Sequence, residues 1–531
     1  MQALRRQSVR FLACGVLAPA YLLCNLAQAQ QPSTPPAQPA ALSFSTLEGW
    51  WRSELLHNGQ HSEFFLHFVT DKGKQVVRVG APELGAWDFP FGGVEVSGNE
   101  VKLTAMKMPL LYDPSTRALN GKLPQELVPA YEIPVSFKRV DTPAAPRVAE
   151  WNHPSPTVVW ASETGAPIWA GLALDEKNNV LYAGSDSGSI MAFDARNGAL
   201  IWLVDTLGSI RAQPTPHEGM VYVASDDGYL YKFDGMRGTE RWRVRIDMSA
   251  EPRKARGTPE ARFDRYGSAA MVDGRHVYVG SRDGNLYALD IETGRENWRA
   301  AAQDMITATP LLRNGTVIFG SYDNNVYAVR ASDGQPVWQQ ATRGPVATDL
   351  ALAGNRVLVG TRAYDLHALD AANGAPVWNY YYWFSWIDSG PAVVEDIAYV
   401  GSSDATSVFA IDVRSGKLRW RSRLNAWCWP RAAVDGRYVY AAMVGGDAGF
   451  RTLRGGLVAL DRRNGDVEWA FLSKPPEPLK QFGFASSPVA TRDRVYAADM
   501  EGRVYAFQAE ARKKRTRLEP RRLESGRQDS G

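Results

Sequence analysis

The sequence predicts an all-β protein, an eight-bladed β-propeller closed by an N-terminal strand and preceded by a small β-rich barrel or sandwich. Three observations predict it. Gly and Trp recur four residues apart eight times, at Gly165/Trp169, Gly198/Trp202, Gly238/Trp242, Gly294/Trp298, Gly334/Trp338, Gly374/Trp378, Gly416/Trp420 and Gly465/Trp469. The spacing from Trp169 to Trp469 averages about 43 residues, the length of one four-stranded blade. Between these pairs, short Val-Tyr and Leu-Tyr runs alternate with Asp-Gly turns, and no stretch stands out with a helical period.

Each repeat reads the same way: an apolar strand, a turn, a Val-Tyr-Val-Gly-Ser strand, a hairpin, a Leu-Tyr-Ala-Leu-Asp strand, then Gly-x-x-x-Trp. The hairpin tips Asp227-Gly228, Asp283-Gly284 and Asp323-Asn324 suit positive φ. Asp194, Asp234, Asp290, Asp370, Asp412 and Asp461 precede the repeated Gly by four and cap its turn, so they read as turn residues and not as a calcium array. The Trp series has the bulk to pack between blades. The last unit, ending at Val504-Tyr505-Ala506-Phe507, has no Gly-x-x-x-Trp behind it, and Gly165/Trp169 has no complete blade before it. Residues 166–170 are therefore expected to form the outer strand of the last blade and to remove its open edge.

Around the propeller, assigned to 157–510, the chain divides by composition. Residues 1–29 read as a cleaved export signal: Arg5, Arg6 and Arg10, an apolar run to Cys24, then Ala27-Gln28-Ala29. Cys24 offers a competing lipid-attachment reading, weakened by Leu23 where a small residue is usual. A Pro/Gln/Ala linker (30–42), an alternating apolar-polar domain (43–140), a Pro-rich linker (141–156) and a basic tail (511–531) complete the chain. A periplasmic or secreted location follows, with no membrane-spanning run after the leader.

Charge and cysteine content narrow the function. The whole chain carries +3, but the tail's eight Lys/Arg against three Asp/Glu give +5 and the leader's arginines +3, leaving the body near −5. That excludes a basic nucleic-acid-binding face; the tail is left a weak contact with an anionic surface. Beyond the leader Cys428 stands alone, so neither an intrachain disulfide nor a multi-cysteine zinc site forms. His57 and His61 flank an Asn-Gly turn and read as surface residues, so no metal site is assigned, and no hydrolase, phosphate-loop or zinc-protease motif occurs.

The pattern Ala-x-Asp-x-x-x-Gly-x-x-x-Trp, as in Ala192–Trp202, Ala288–Trp298, Ala368–Trp378 and Ala410–Trp420, resembles the repeats of pyrroloquinoline-quinone-type propellers. That group contains quinoprotein dehydrogenases and the non-enzymatic propeller lipoprotein of outer-membrane barrel assembly. The resemblance covers 157–510 and implies fold more than function. Many dehydrogenases of the group use a vicinal cysteine pair and a carboxylate-held calcium. The cysteine pair is missing, so no cofactor residue is carried over and no catalytic residue is assigned.

A propeller's usual ligand site is the mouth of its central channel. Alignment on the Val-Tyr strand gives a small middle residue before each innermost strand (Ala212, Ser268, Ala308, Thr348, Ser389, Ser486), flanked by larger or polar ones. Strand alternation puts each flanking pair on one face, taken as the channel face. The candidate site is Trp386 and Asp388 from the sixth blade, Trp427, Trp429 and Arg431 from the seventh, and Arg211, Arg265 and Asp349 across the mouth. Such a set suits a sugar, a quinone or a peptide; the competing reading packs the aromatics under the N-terminal domain. A cofactor-free binding or scaffolding propeller of the cell envelope, with a protein or polymer partner, is the first functional reading. A quinone- and calcium-dependent dehydrogenase of alcohols or sugars is the alternative.

Overall fold

The computed structural model describes residues 42–57, 59–124, 128, 131–145, 151–247, 267–383, 385–449 and 451–510. The leader, the first linker and the basic tail lie outside these described residues. Two all-β units follow one another.

The first is a closed barrel of eight antiparallel strands: β1 (Gly49–His57), β2 (Gln60–Asp71), β3 (Lys74–Ala81), β4 (Ala86–Ser97), β5 (Glu100–Leu103), β6 (Met108–Asp113), β7 (Ala118–Lys122) and β8 (Pro134–Val140). Trp50 pairing with Val140 closes it, which settles the choice between barrel and sandwich. Alternation decides which side chains fill it: Trp51, Leu55, Phe64, Leu66, Phe68, Val77 and Val79 point into one core. Short turns at Gly73 and Gly98 keep neighbouring strands adjacent, and both adopt the positive φ that such turns demand.

The second unit is the propeller, eight sheets of four principal strands. In blade three the inner strand Met271–Val272 is followed by His276–Gly280, Asn285–Asp290 and the outer strand Glu296–Ala301. Ala288 faces Trp298, and a bulge follows at Leu289. The bulge lets the chain turn through Asp290, whose carboxylate accepts from the Thr293 N–H at 2.8 Å and whose carbonyl accepts from the Gly294 N–H at 2.9 Å. The same bulge recurs in the other blades, for instance after Ala192, Ala328, Ala410 and Ala506.

Blade contacts blade through the repeated tryptophan. The Trp298 indole N–H donates to the Ala331 carbonyl of blade four at 3.0 Å. Its ring lies over Gly334, where a Cβ would stand 2.6 Å from Cε3. Glycine is thus required twice at this position, for φ +71° and for the approach of the indole. Trp202, Trp242, Trp338, Trp378, Trp420 and Trp469 make the equivalent bond to the next blade.

Trp169 is not a member of this series. The closing strand is β9 (Val158–Glu163), which pairs with Arg503–Gln508. Residues 166–170 are not that strand. Trp160 occupies the repeat position opposite Ala506 and donates to the Ala195 carbonyl at 3.1 Å. Pro156 stands where the glycine would be. The last blade's two outermost strands come from opposite ends of the propeller, so no turn joins them and no left-handed glycine is needed. The Gly165/Trp169 spacing matches the motif without its structural cause.

The barrel sits against blades five to seven. Its core is continuous with Tyr364, Tyr381 and Trp383 of the propeller. The Tyr381 N–H donates to Gln60 Oε1 at 3.1 Å, Tyr131 hydrogen-bonds to the buried Asp365, and Arg421 pairs with Glu83. Arg421 also donates to the Glu83 carbonyl at 2.9 Å, and burial pushes its guanidinium down to about 9.

Replacing Trp160 by Ala is expected to cost about 3–5 kcal/mol, the range for emptying a large buried aromatic site. Trp169→Ala should cost less, because that ring seals no blade boundary. Urea denaturation of the two variants checks the order, and a larger loss at Trp169 would contradict the assigned seam. Glu83→Ala should cost about 3 kcal/mol by stranding Arg421, read in the same titration.

Candidate functional site

The segments that lead into the innermost strands converge on the channel mouth. Ala212, Ala308, Thr348, Ser389 and Ser486 are buried among neighbouring blades, while their flanking residues line the opening. The lining includes Trp169, Arg211, Asp349, Asp388, Trp429 and Arg431. Five of the eight candidate residues thus share one narrow cavity of about 70 Å3, with Trp169 as an unforeseen sixth wall. That is room for a few water molecules at about 10–15 Å3 each.

Hydrogen bonds and ion pairs order this lining. Asp388 accepts from Arg362 Nε at 3.0 Å, both side chains being largely enclosed. The Arg362 guanidinium lies between the Tyr322 and Trp386 rings, 5.5 and 5.3 Å from their centroids. Across the mouth, Arg211 lies 3.4 Å from Asp186 and 3.5 Å from Asp226. Asp349 accepts from the Thr309 N–H at 2.8 Å. The Arg431 side chain remains exposed, and its backbone N–H donates to Ser487 Oγ at 3.1 Å.

The aromatic members divide differently from the sequence reading. Trp386 packs against the barrel's core cluster, with Trp383 inside it, so this part of the aromatic run forms the seam between units. Trp429 borders the mouth but is only 8% exposed, and its indole N–H donates to Ser403 Oγ at 3.2 Å. Trp427 does not line the opening; it stacks on Trp429 at 4.9 Å and lies over Gly446. These rings are framework, with Trp429 showing little more than an edge. Arg265 lies outside the described residues.

Sequence reasoning missed Arg362, Ser403 and Asp404, all on the hairpin tips of blades five and six. A signal was present. Blades two and three read Asp226-Asp227-Gly228 and Arg282-Asp283-Gly284, whereas blade five reads Arg362-Ala363-Tyr364 and blade six inserts a residue in Ser403-Asp404-Ala405-Thr406. In the regular tips the Asp accepts from a strand tyrosine, as Asp283 does from Tyr287 at 2.6 Å. In blade five Ala363 and His367 replace that pair, and the barrel covers the place.

Burial raises the Asp404 carboxyl to about 6, with the Asp388 charge adding to it, although Asp404 keeps contact with solvent. Asp365 is likewise raised to about 6 by burial, and His367 beside it is lowered to about 4. Cys428 is buried, its thiol pushed up to about 12 by burial, so it is no nucleophile at neutral pH.

Three successive stretches, 145–271, 253–382 and 365–524, match the family model described as outer membrane protein assembly factor BamB. The span exceeds half of the chain, and the chain belongs to this family of pyrroloquinoline-quinone-like propeller repeats. The quinohemoprotein alcohol dehydrogenase ADH IIB of Pseudomonas putida is 30% identical over 136 residues, covering 24% of this chain and 19% of that enzyme. The chain therefore matches under a fifth of that relative's length. Among solved structures, the computationally designed Ika8 protein is 15% identical at a TM-score of 0.53, over 66% of this chain and 99% of its own. Sqt1 of Saccharomyces cerevisiae is 14% identical at 0.53, over 67% and 100%. BamB of Moraxella catarrhalis is 18% identical at 0.44, over 66% and 85%. The Ika8 and Sqt1 likenesses show the fold alone.

The raised Asp404 carboxyl fixes the sign of a pH effect. A carboxyl whose folded value lies near 6, above its unfolded value near 4, holds extra proton in the native state, so its contribution to stability falls as pH rises through that window. Asp404→Asn should therefore melt higher than the parent at pH 8, with the difference shrinking towards pH 4. A lower melting point at pH 8 would mean that attraction to Arg451 outweighs burial.

Proposed function

We propose that this chain is an exported propeller of the cell envelope that binds or scaffolds a protein or polymer partner, without a quinone cofactor. The observation that carries this reading is the state of the channel mouth. Its buried charges engage each other, Arg362 with Asp388 and Arg211 with Asp186 and Asp226, and the remaining opening is about 70 Å3. Sites for multi-ring ligands are usually about 300–1,000 Å3. The residues present do not fit a bound quinone with its calcium: no three acidic, His or Cys groups among the described residues stand together as a cation site, and the one cysteine is enclosed.

Two further observations support an envelope role: residues 1–29 read as an export leader, and the family description names an outer-membrane assembly factor. The barrel adds a second binding-sized body, held on blades five to seven. Arg431, exposed at the rim beside Asp349, is where a partner would first meet the mouth.

The dehydrogenase alternative rests on the match to the Pseudomonas putida enzyme. Calorimetric titration with pyrroloquinoline quinone and calcium decides between them. No binding tighter than micromolar and no dye-linked alcohol or sugar oxidation are expected; tight binding with turnover would overturn the scaffold reading. A photo-crosslinking residue placed at Arg431 should give a discrete adduct in intact cells. Its absence would count against the mouth as the partner surface.

A further inference from the structure

The rim of the propeller is a ring of sheet edges, each the outer strand of one blade. An edge strand is a template for another chain unless charge, proline or a covering segment blunts it. The outer strands of blades two, three, six and seven carry Arg or Glu, and those of blades four and five open on Pro336 and Pro376. Blade eight follows its tryptophan with Ala161-Ser162-Glu163. Blade one differs: Leu200–Asp205 reads Leu-Ile-Trp-Leu-Val-Asp, large and apolar up to its last residue. Leu200, Ile201 and Leu203 are 54%, 39% and 45% exposed, and among the described residues no strand pairs with this edge.

Register fixes what the edge offers. The Thr206 N–H donates to the Gly188 carbonyl at 2.8 Å, so Val204 and Trp202, two and four residues back, bond inward to Ile190 and Ala192. The N–H and C=O groups of Ile201, Leu203 and Asp205 therefore point outward. Blade seven shows what such an edge accepts. Ala470, at the repeat position of Leu203, donates its N–H to the Pro154 carbonyl of the passing linker at 2.9 Å.

The two sides of the blade-one edge differ in chemistry. Trp202 bonds to blade two, so alternation turns Ile201 and Leu203 toward blade eight. Trp242 bonds to blade three, which turns Arg241, Arg243 and Arg245 back toward blade one. Arg243 lies over the Tyr229 and Tyr231 rings at 5.8 and 6.0 Å, and Tyr231 packs in the cluster shared by blades one and two. Asp234 and Glu240 stand 2.7 and 3.7 Å from Arg241 and Arg243, but all three arginines are exposed. Exposed pairs of this kind contribute little and re-form around a better partner.

We propose that this edge takes an extended polypeptide segment as a fifth strand of blade one, aliphatic on its face toward blade eight and acidic on its face toward blade two. Backbone pairing supplies the attachment and the two flanks supply the selectivity. A second copy of this chain fits less well, because antiparallel two-fold pairing of the edge would set one copy's arginine row opposite the other's. The proposal stands whether or not the channel mouth takes a partner.

Fluorescence anisotropy on the full chain tests it with a labelled, end-capped octapeptide of alternating Val and Glu. That peptide should bind, and its Val/Lys counterpart should bind at least about tenfold more weakly, the loss of one charged hydrogen bond. A copy N-methylated along its backbone cannot join the ladder and should not bind. Leu203→Lys, which places a guarding charge on the edge, should weaken binding at least about tenfold without moving the melting point. Arg243→Glu should weaken the Glu peptide and strengthen the Lys one. The proposal falls if the Glu peptide gives no binding at millimolar concentration, or if the Lys or N-methylated copy binds as tightly. It falls too if Leu203→Lys leaves binding unchanged or Arg243→Glu leaves the preference unchanged. Sedimentation that shows a dimer of the parent and a monomer of Leu203→Lys would give the edge to a second copy and overturn it as well.

Discussion

An indole seated on the next blade's glycine, with its N–H aimed at that blade's carbonyl, recurs around the ring, and the propeller depends on it. Trp298 on Gly334 is typical: one large apolar ring leaves water, one buried donor is satisfied, and the glycine turn becomes the floor of the contact. Neither partner can change alone. A side chain at the glycine would meet the ring and would also have to adopt a left-handed backbone. Before six of these glycines an Asp four residues earlier holds the turn in place (Arg330 stands there before Gly334), so a single eleven-residue motif carries the blade's bulge, its turn and its bond to the neighbour. Tyr278 beside Trp298, at 5.8 Å, shows how the strand tyrosines complete the same packing.

Against this regular ring, blades five to seven are the exception, and the barrel explains why. Where the hairpin tips of blades two, three and four close on themselves through an Asp–Tyr hydrogen bond, blade five has Ala363 and His367, and the barrel's Tyr131 comes down onto Asp365 instead. Arg343 lies over the Tyr131 ring, and Arg421 reaches up to Glu83. Burial keeps His367 neutral and raises the Asp365 carboxyl to about 6, so around Tyr131 the seam rests on hydrogen bonds and ring contacts, while Arg421 and Glu83 supply its ion pair. Arg362 and Trp386 link the seam to the channel mouth, because Arg362 touches Trp386 on one side and Asp388 on the other. The barrel and the mouth are therefore mechanically connected.

Much of this was legible in the residues because repetition exposes structural demand. Eight blades, the turn-capping Asp series and the channel-facing pairs around each small residue all follow from alternation and turn chemistry applied many times over. The closing strand was misplaced for a physical reason: Trp160 has no Gly four residues earlier, since no turn joins the two outer strands there, while Gly165/Trp169 has the spacing by coincidence. Trp386 and Trp427 misled in another way. An aromatic run that breaks a repeat marks an added contact, and a sequence gives no means of telling a ligand from a neighbouring domain. Arg362 and Asp404 sat on tips that depart from the Asp-Gly pattern, a signal of the same kind left unread.

The N-terminal closure has a mechanical consequence. The barrel's last strand, Pro134–Val140, and the propeller's closing strand, Val158–Glu163, are joined only by residues 141–157. The tether of the barrel and the seam of the ring are thus one piece of chain. A tug on the barrel is carried by its seat on blades five to seven, then by the linker's own hold on blade seven, where Trp151 lies under Arg454 and the Pro154 carbonyl accepts from the Ala470 N–H, and only then by the hydrogen bonds between Val158–Glu163 and Arg503–Gln508. Peeling that strand would open the one blade, among the described residues, whose outer strands are not joined by a covalent turn. Whatever grips the barrel therefore pulls on the latch of the propeller.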